Sequence, residues 1–412
     1  ILYVMFMTTP MIQLIHPKLD NLQAFQCQIE AKLSTPYQLN LTVHAQPPLT
    51  APELLWQSVG VMITANTPYH GIITQVTTQH TQEHRPTLHL SIEPKLTLLT
   101  RDLHYAIYKQ RSVIEIITTI LKQQHISHQF NLQNDYPALD YMVQYAESSL
   151  NFIHRLLARF GLCYYFKHTA HSHTMIISDR IQRQQPIYQL AQAPLSDNKQ
   201  PQLYNLTEEA KVSCDQIHSH DYDYRSPYQN TDLVSNLGGN KPYPRAYHHF
   251  PCPAANTANR TQAITLLKEK VKTDVHHFSG SSNETRLQIG SQLQITDRTQ
   301  AITIVSLKQQ IMDQPNVATS SHTKEPSYQN YFDAVTSSIA HYPPHNLHQP
   351  TIKGIQRATV VTTSAQHPDP IANEIKVRFN WCNLPSCWIR TAHSHASDSS
   401  GHHFLARHGD EV

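Results

Sequence analysis

The chain has 412 residues, more than a single hydrophobic core usually serves, so two to four domains are expected. Hydrophobic residues make up 39%, enough for several modest cores, while charged residues reach only 15%, well under the usual quarter. A net charge of +2 excludes the strongly basic surface of a nucleic-acid or acidic-membrane binder, and the 29 histidines add positive charge only below about pH 6.5.

The apolar start Ile1–Met7 is too short to span a membrane and lacks the basic head of a signal peptide, so a protein made in the cytoplasm is expected, and any export would proceed without a Sec signal. The first residue is not Met, which puts the expected translation start at Met5, Met7 or Met11. Residues 11–100 read as antiparallel β, with strands at Gln26–Ile29, Tyr37–His44, Gly71–Thr78 and Thr87–Ile92 between Pro-bearing turns. In Tyr37–Val43 the apolar side chains Tyr37, Leu39, Leu41 and Val43 alternate with polar ones, which gives one buried and one wet face.

The period then changes. Ser112 to Glu115 has the Ser-x-x-Glu form of a capping box, and Val113, Ile116, Ile117, Ile120 and Leu121 follow at helical spacing. A second helix is predicted from a cap at Ser148 through Leu150, Ile153, Leu157 and Phe160, with Gly161 as its left-handed stop. Leu162–Lys167 and Thr174–Ser178 then read as a hairpin. A third helix is predicted over about 259–276 with Ala263, Leu266, Leu267 and Val271 inward, between stretches of short strands. Pro343, Pro344 and Pro350 mark a linker, after which Glu374–Trp381 and Ser386–Thr391 read as strands. The final Gly409–Val412 looks like the start of another strand, as if the chain were cut inside a domain.

Signatures of catalysis are missing: the sequence has no His-Glu-x-x-His, Gly-x-Ser-x-Gly, Walker loop or Gly-x-Gly-x-x-Gly. His393, His395 and Asp398, followed by His402, His403 and His408, could supply a metal-hydrolase site, but the spacing departs from that of binuclear hydrolases. Doublets such as His171/His173, His218/His220, His248/His249 and His276/His277 recur throughout, so a solvent-exposed loop is the preferred reading of 393–408. Glu208 and Glu209, like Asp221 and Asp223, read as solvated polar faces. Tyr222, Tyr224, Tyr228 and Tyr243 read as cover for a core edge or a subunit contact rather than a sugar platform. The six cysteines, at 27, 163, 214, 252, 382 and 387, contain no Cys-x-x-Cys and are expected as reduced, mostly buried thiols.

Tyr141–Phe166 closely resembles the core motif of VgrG spike proteins of type VI secretion systems, although that family usually carries acidic residues where Ala158, Arg159 and Phe160 stand. His70–Ile73, Asp221–Arg225 and Phe278–Ser282 with Leu287 and Gly290 follow in the family's order. At the C-terminal end Ile375–Trp381, Ser386–Arg390 and Arg407–Val412 are similar to the family's collar. The resemblance implies a mainly β, α+β chain. Two tandem β-barrels with helical insertions, like the baseplate hub of contractile-tailed phages, would precede an incomplete OB-fold collar. It divides the chain into a first barrel over 1–100, an α+β insertion over 101–185, a second barrel over 186–345 and the collar over 346–412.

It further implies a non-enzymatic homotrimer without a cofactor or bound metal. Its partners would be an Hcp-type tail-tube protein, a spike-tip protein and an effector or adaptor, with the target membrane met only transiently and no nucleic acid. The structural residues expected from it are Phe152, Ile153, Leu156, Leu157 and Gly161 on and after the second helix, and Trp381 and Trp388 in the collar. A prophage tail hub and, from another class, a hydrolase using His393, His395 and Asp398 are the alternatives.

Overall fold

The computed structural model describes residues 12–16, 19, 22–44, 50–63, 67–79, 86–181, 187–192, 200–222, 232–238, 243, 245–250, 257–296, 301–313, 327–339, 347–367, 374–392 and 405–412. The chain forms two compact units that are not contiguous in sequence. The first comprises Ile1–Thr97, Ile126–Asn134 and Leu157–His345; the second comprises Leu98–His125, Asp135–Leu156 and Asn346–Val412.

In the first unit, six strands lie in the spatial order Ile12–Ile15, Ser58–Ile63, Thr67–Gln79, Thr87–Glu93, Thr35–His44, Gln23–Lys32, every pair antiparallel. The alternation seen in the sequence is what lets this sheet bury one face. Tyr37, Leu39, Leu41 and Val43 are all buried, and the two outermost strands supply Ile12, Leu14, Cys27 and Ile29 to one shared cluster, so the sheet curls around a single core.

A second set of six strands closes on itself. The ring runs from Ile302–Met312 through Gln292–Ile295, Ile187–Gln192, Gln202–Ala210 and His276–Ser282 to Ser327–Thr336, which pairs back to the first strand. Closure leaves the barrel with no free edge. Its core is built from Leu203, Phe278, Leu287, Leu293, Ile304, Leu307 and Phe332, among others.

Ile302–Met312 joins the two bodies because it is long enough to serve both. Its first residues pair with Gln292–Ile295, and beyond an irregularity between Ile304 and Ser306 its remainder pairs with Gln23–Lys32, from Ser306↔Lys32 to Met312↔Gln26. The opposite edge pairs throughout with Ser327–Thr336. A bulge bends one strand so that it can leave one sheet and enter another, and here it yields a continuous twelve-stranded sheet.

The helix Thr257–Val275 begins and ends close to the expected bounds, but it buries Ile264, Leu266 and Thr273, while Ala263, Leu267 and Val271 are only half-buried. Its packing face is rotated from the one predicted, because Ile264 competes with Ala263 and offers far more apolar area. Cys163–His168 and His173–Ser178 form the expected hairpin, and His128–Asn131 joins it in parallel. A separate three-stranded sheet sets Gln216–Ser219 between Leu233–Asn236 and Ala246–His249.

In the second unit the helix Val113–Gln123 starts at the predicted box: Ser112 Oγ accepts from the amide of Glu115, whose carboxylate accepts from the Ser112 amide. Val113, Ile116, Ile117, Ile120 and Leu121 are all buried. His104–Tyr108 pairs with Met142–Glu147, and Ala358–Thr362, Glu374–Phe379 and Ile389–Arg390 make the C-terminal sheet. The strand expected to reach Trp381 stops at Phe379, and the next contains Ile389 and Arg390 rather than all of Ser386–Thr391. The reason is Ser386, whose Oγ accepts the Val377 amide at 3.0 Å and so takes a place in the ladder that backbone would otherwise fill. The last residues are paired: the amides and carbonyls of Ala358 and Val412 exchange two bonds of 2.9 Å. No helix among the described residues is long and apolar enough to cross a membrane.

Candidate functional site

Two polar features of the first unit fix its curled sheet, one against the closed barrel and one against the hairpin of Cys163–His168 and His173–Ser178. At inward-facing positions of Ile302–Met312 and Ser327–Thr336, where alternation calls for apolar side chains, stand the buried Gln309 and Asn330, directly opposite each other. Tyr69 Oη donates to Gln309 Oε1 at 2.9 Å, and Gln309 Nε2 donates to Tyr328 Oη at 2.9 Å. Asn330 Nδ2 donates to the Glu284 carbonyl at 2.8 Å, and Ser282 Oγ donates to Asn330 Oδ1 at 3.1 Å. Tyr69 belongs to the curled sheet and the others to the barrel, so the network fixes one against the other with directional bonds that sliding would break. Sequence reasoning passed over these residues. The available signal was a polar residue at an inward alternating position, Gln309 between Leu307 and Ile311 and Asn330 between Tyr328 and Phe332.

The second feature is a histidine and tyrosine cluster formed by Tyr37, His70, His168 and His173. Its protonation follows from its hydrogen bonds. His173 Nε2 accepts the Lys95 amide at 3.3 Å, so its proton is on Nδ1, which donates to His70 Nδ1 at 3.0 Å. That leaves the His70 proton on Nε2, 3.0 Å from Ser58 Oγ. His168 Nδ1 accepts the His70 amide at 3.3 Å, and the Tyr37 hydroxyl donates to the His70 carbonyl. Rings of Tyr37, Tyr69 and Phe166 surround His168. Removal from water, reinforced by the neighbouring imidazoles, holds His168 at about 3 and His173 at about 4, and lowers His70. The cluster is neutral and structural.

In the second unit Phe152, Ile153 and Leu156 are buried, as is Leu157 of the first unit, all on the helix Ser149–Phe160. Ser148 Oγ caps this helix by accepting the Asn151 amide at 3.1 Å. Tyr108 stacks on Phe152 with centroids 5.6 Å apart, and Arg155 Nη2 lies 2.6 Å from Oε1 of the buried Glu147. Gly161 has φ +71°, a left-handed backbone that favours glycine, and a Cβ there would come 2.3 Å from the terminal methyl Leu266 Cδ2, which would have to move aside.

Trp381 is half-buried in an aromatic group with Tyr105, Tyr145 and Phe379, and its Nε1 donates to Gln356 Oε1 at 3.0 Å. Trp388 lies edge-on to His367 at 4.4 Å and beneath the Lys376 ammonium, 4.4 Å from its centroid.

The other sequence candidates fare differently. His393, His395, Asp398, His402 and His403 lie outside the described residues, and His408 is exposed. Glu208 is 3.1 Å from His276 Nε2 and Glu209 forms an ion pair of 3.0 Å with Lys211 Nζ, separate contacts on a wet surface rather than a carboxylate pair across a cleft. Tyr222 and Tyr243 are exposed, while Tyr224, Tyr228, Asp223 and Arg225 lie outside the described residues. Cys27, Cys163, Cys214, Cys382 and Cys387 are free; burial pushes the Cys163 thiol up to about 12 and that of Cys27 higher still. A polar groove at the seam of sheet and barrel is lined by Glu30, Lys32, Gln38, Thr207, Lys308 and Asp333, with Lys308 and Glu30 paired across it at 2.8 Å.

Comparison with known proteins places this geometry. The family described as phage tail baseplate hub (GPD) matches residues 30–313. The actin cross-linking toxin VgrG1 of Vibrio cholerae is 24% identical over 367 residues, covering 83% of this chain and 33% of the toxin. The type VI secretion system spike protein VgrG2a of Pseudomonas aeruginosa is 26% identical over 370 residues, 83% of this chain and 43% of the spike protein. The chain thus spans a third to under half of these relatives. The E. coli c3393 protein, described as a type VI secretion component similar to the T4 tail proteins gp27 and gp5, superposes with a TM-score of 0.69 over 97% of this chain and 95% of that one, at 19% identity. This last likeness is one of fold.

Proposed function

Because the chain belongs to the phage tail baseplate hub family, we propose that it forms the hub and collar of a type VI secretion spike. The observation that carries the reading is the closed barrel continuous with a second six-stranded sheet through one shared strand and locked by the Tyr69–Gln309–Asn330 network. A hub must transmit force between a tube and a tip, and covalent continuity plus interior hydrogen bonds resists shear where apolar packing alone would slip.

In this reading residues 1–100 and 186–345 supply the hub barrels, 101–185 the insertion and 346–412 the collar. Trp381 and Trp388 stiffen the collar, and Phe152, Ile153, Leu156, Leu157 and Gly161 anchor the insertion helix. The chain acts as one third of a homotrimer that docks on an Hcp-type tube protein, carries a tip protein and an effector or adaptor, and is exported by the apparatus itself without catalysing a reaction. Exposed apolar side chains such as Trp56, Ile187 and Tyr331, together with the low charge, suit broad subunit contacts. The family's own description favours a prophage tail hub as the second reading.

Light scattering on the full-length protein, with and without the tube protein, tests the proposal. A trimer that captures the tube protein is expected; a well-folded monomer at high concentration that ignores it overturns the reading. Loss of tube-protein export on deletion of the gene separates the secretion role from the prophage one.

A further inference from the structure

The small sheet of Gln216–Ser219, Leu233–Asn236 and Ala246–His249 has a buried face and a histidine-bearing face. Ile217 and Ser219 are fully buried, and the helix Thr257–Val275 packs against their strand. His218 and His220, two apart, share the opposite face, and His248 on the neighbouring parallel strand lies directly across from His218. Among the described residues these three are the one group of three or more His, Cys, Asp or Glu whose ligand atoms all lie within 4.8 Å of one another.

We propose that His218, His220 and His248 form a three-imidazole site for a divalent transition-metal ion of the Zn2+ class, with Asp232 orienting His220. Three arguments carry it. First, His220 Nδ1 is 2.7 Å from Asp232 Oδ1; a carboxylate oxygen accepts, so the proton is held on Nδ1 and the lone pair of Nε2 is presented outward. A ligating histidine whose second nitrogen donates to a carboxylate is the common arrangement at zinc.

Second, that Nε2 stands 3.4 Å from His248 Nδ1. Two nitrogens each about 2.05 Å from a tetrahedral ion are about 3.3 Å apart, so this edge of the polyhedron already exists. Third, Gln216 Oε1 accepts from His218 Nε2 at 3.1 Å, which leaves Nδ1 as that ring's lone pair and provides a second orienting contact. Three nitrogen donors suit Zn2+, Co2+, Ni2+ or Cu2+ rather than Mg2+ or Ca2+, and they leave a fourth position for water or for a donor from a partner. The ion would pin Gln216–Ser219 to Ala246–His249.

The histidines are half-buried or exposed, so their replacement leaves the core intact. The full chain, stripped with EDTA, is titrated with Zn2+ against a chromophoric chelator, and with Co2+ for its tetrahedral d–d absorption. One tight equivalent is expected, weakened at least tenfold in His220→Ala and His248→Ala, about tenfold in Asp232→Asn, and unchanged in His395→Ala. Tight binding that survives His248→Ala, or that is lost with His395→Ala, overturns the site, as does weak binding of several equivalents. Should His248→Ala fail to fold, unchanged affinity in Asp232→Asn overturns it equally.

Discussion

Two regions of the first unit use the same side chain to opposite ends. In the interior, His70, His168 and His173 satisfy one another and the backbone, and water is replaced by the rings of Tyr37, Tyr69 and Phe166. On the small outer sheet, His218, His220 and His248 face outward, with Gln216 and Asp232 orienting the rings of His218 and His220. What distinguishes a structural histidine from a ligand is therefore where its second nitrogen's proton is spent. Local doublets such as His171/His173 and His218/His220 look alike in the sequence but differ in burial and in what their ring nitrogens meet.

Lowering the pH should break the comparison most sharply. His168 and His173 titrate in the fold near 3 and 4 but near 6.5 when unfolded. The unfolded chain binds more protons between those values, so the stability they contribute is complete above about pH 6.5 and lost as pH falls toward 3–4. Between pH 7 and 5 urea unfolding should register a loss of about 2–4 kcal/mol from this pair. Next in size, Gln309→Ala strips Tyr69 and Tyr328 of their partner and opens a void, at an expected cost of about 2–3 kcal/mol in the same assay at pH 7.

His168→Leu should flatten the decline between pH 7 and 5 by about 1–2 kcal/mol, while costing about 1 kcal/mol at neutral pH for the unmatched His70 amide. An unaltered pH slope would show that His168 does not sense acid. Smallest of all, His248→Ala should change the metal-free unfolding free energy by under about 0.5 kcal/mol, since a surface position carries little packing. A larger shift would mean that the outer cluster, too, is a piece of core.

Much of the local structure was legible. The Ser112 capping box and the Val113–Leu121 stripe specify a helix and its buried face, because capping and amphipathicity both act within a few residues. Gly161 announced a left-handed stop for the same reason. Strand alternation over Tyr37–Val43 named a buried face correctly. The rotated face of Thr257–Val275 was less legible, since Ile264 and Ala263 are neighbours in sequence and only the packing surface selects between them.

By itself, the sequence determined where the helices Val113–Gln123 and Ser149–Phe160 start and stop, which face of Tyr37–Val43 turns inward, and, through its motif at Tyr141–Phe166, the family. Only the tertiary structure decided that one bulged strand, Ile302–Met312, serves both a closed barrel and a curled sheet, that Tyr69 meets Gln309 across 240 residues, and which histidines meet. Short-range rules of capping and alternation are written in adjacent residues. Closure, long-range hydrogen bonds and ligand geometry depend on register between distant strands, which no local pattern encodes.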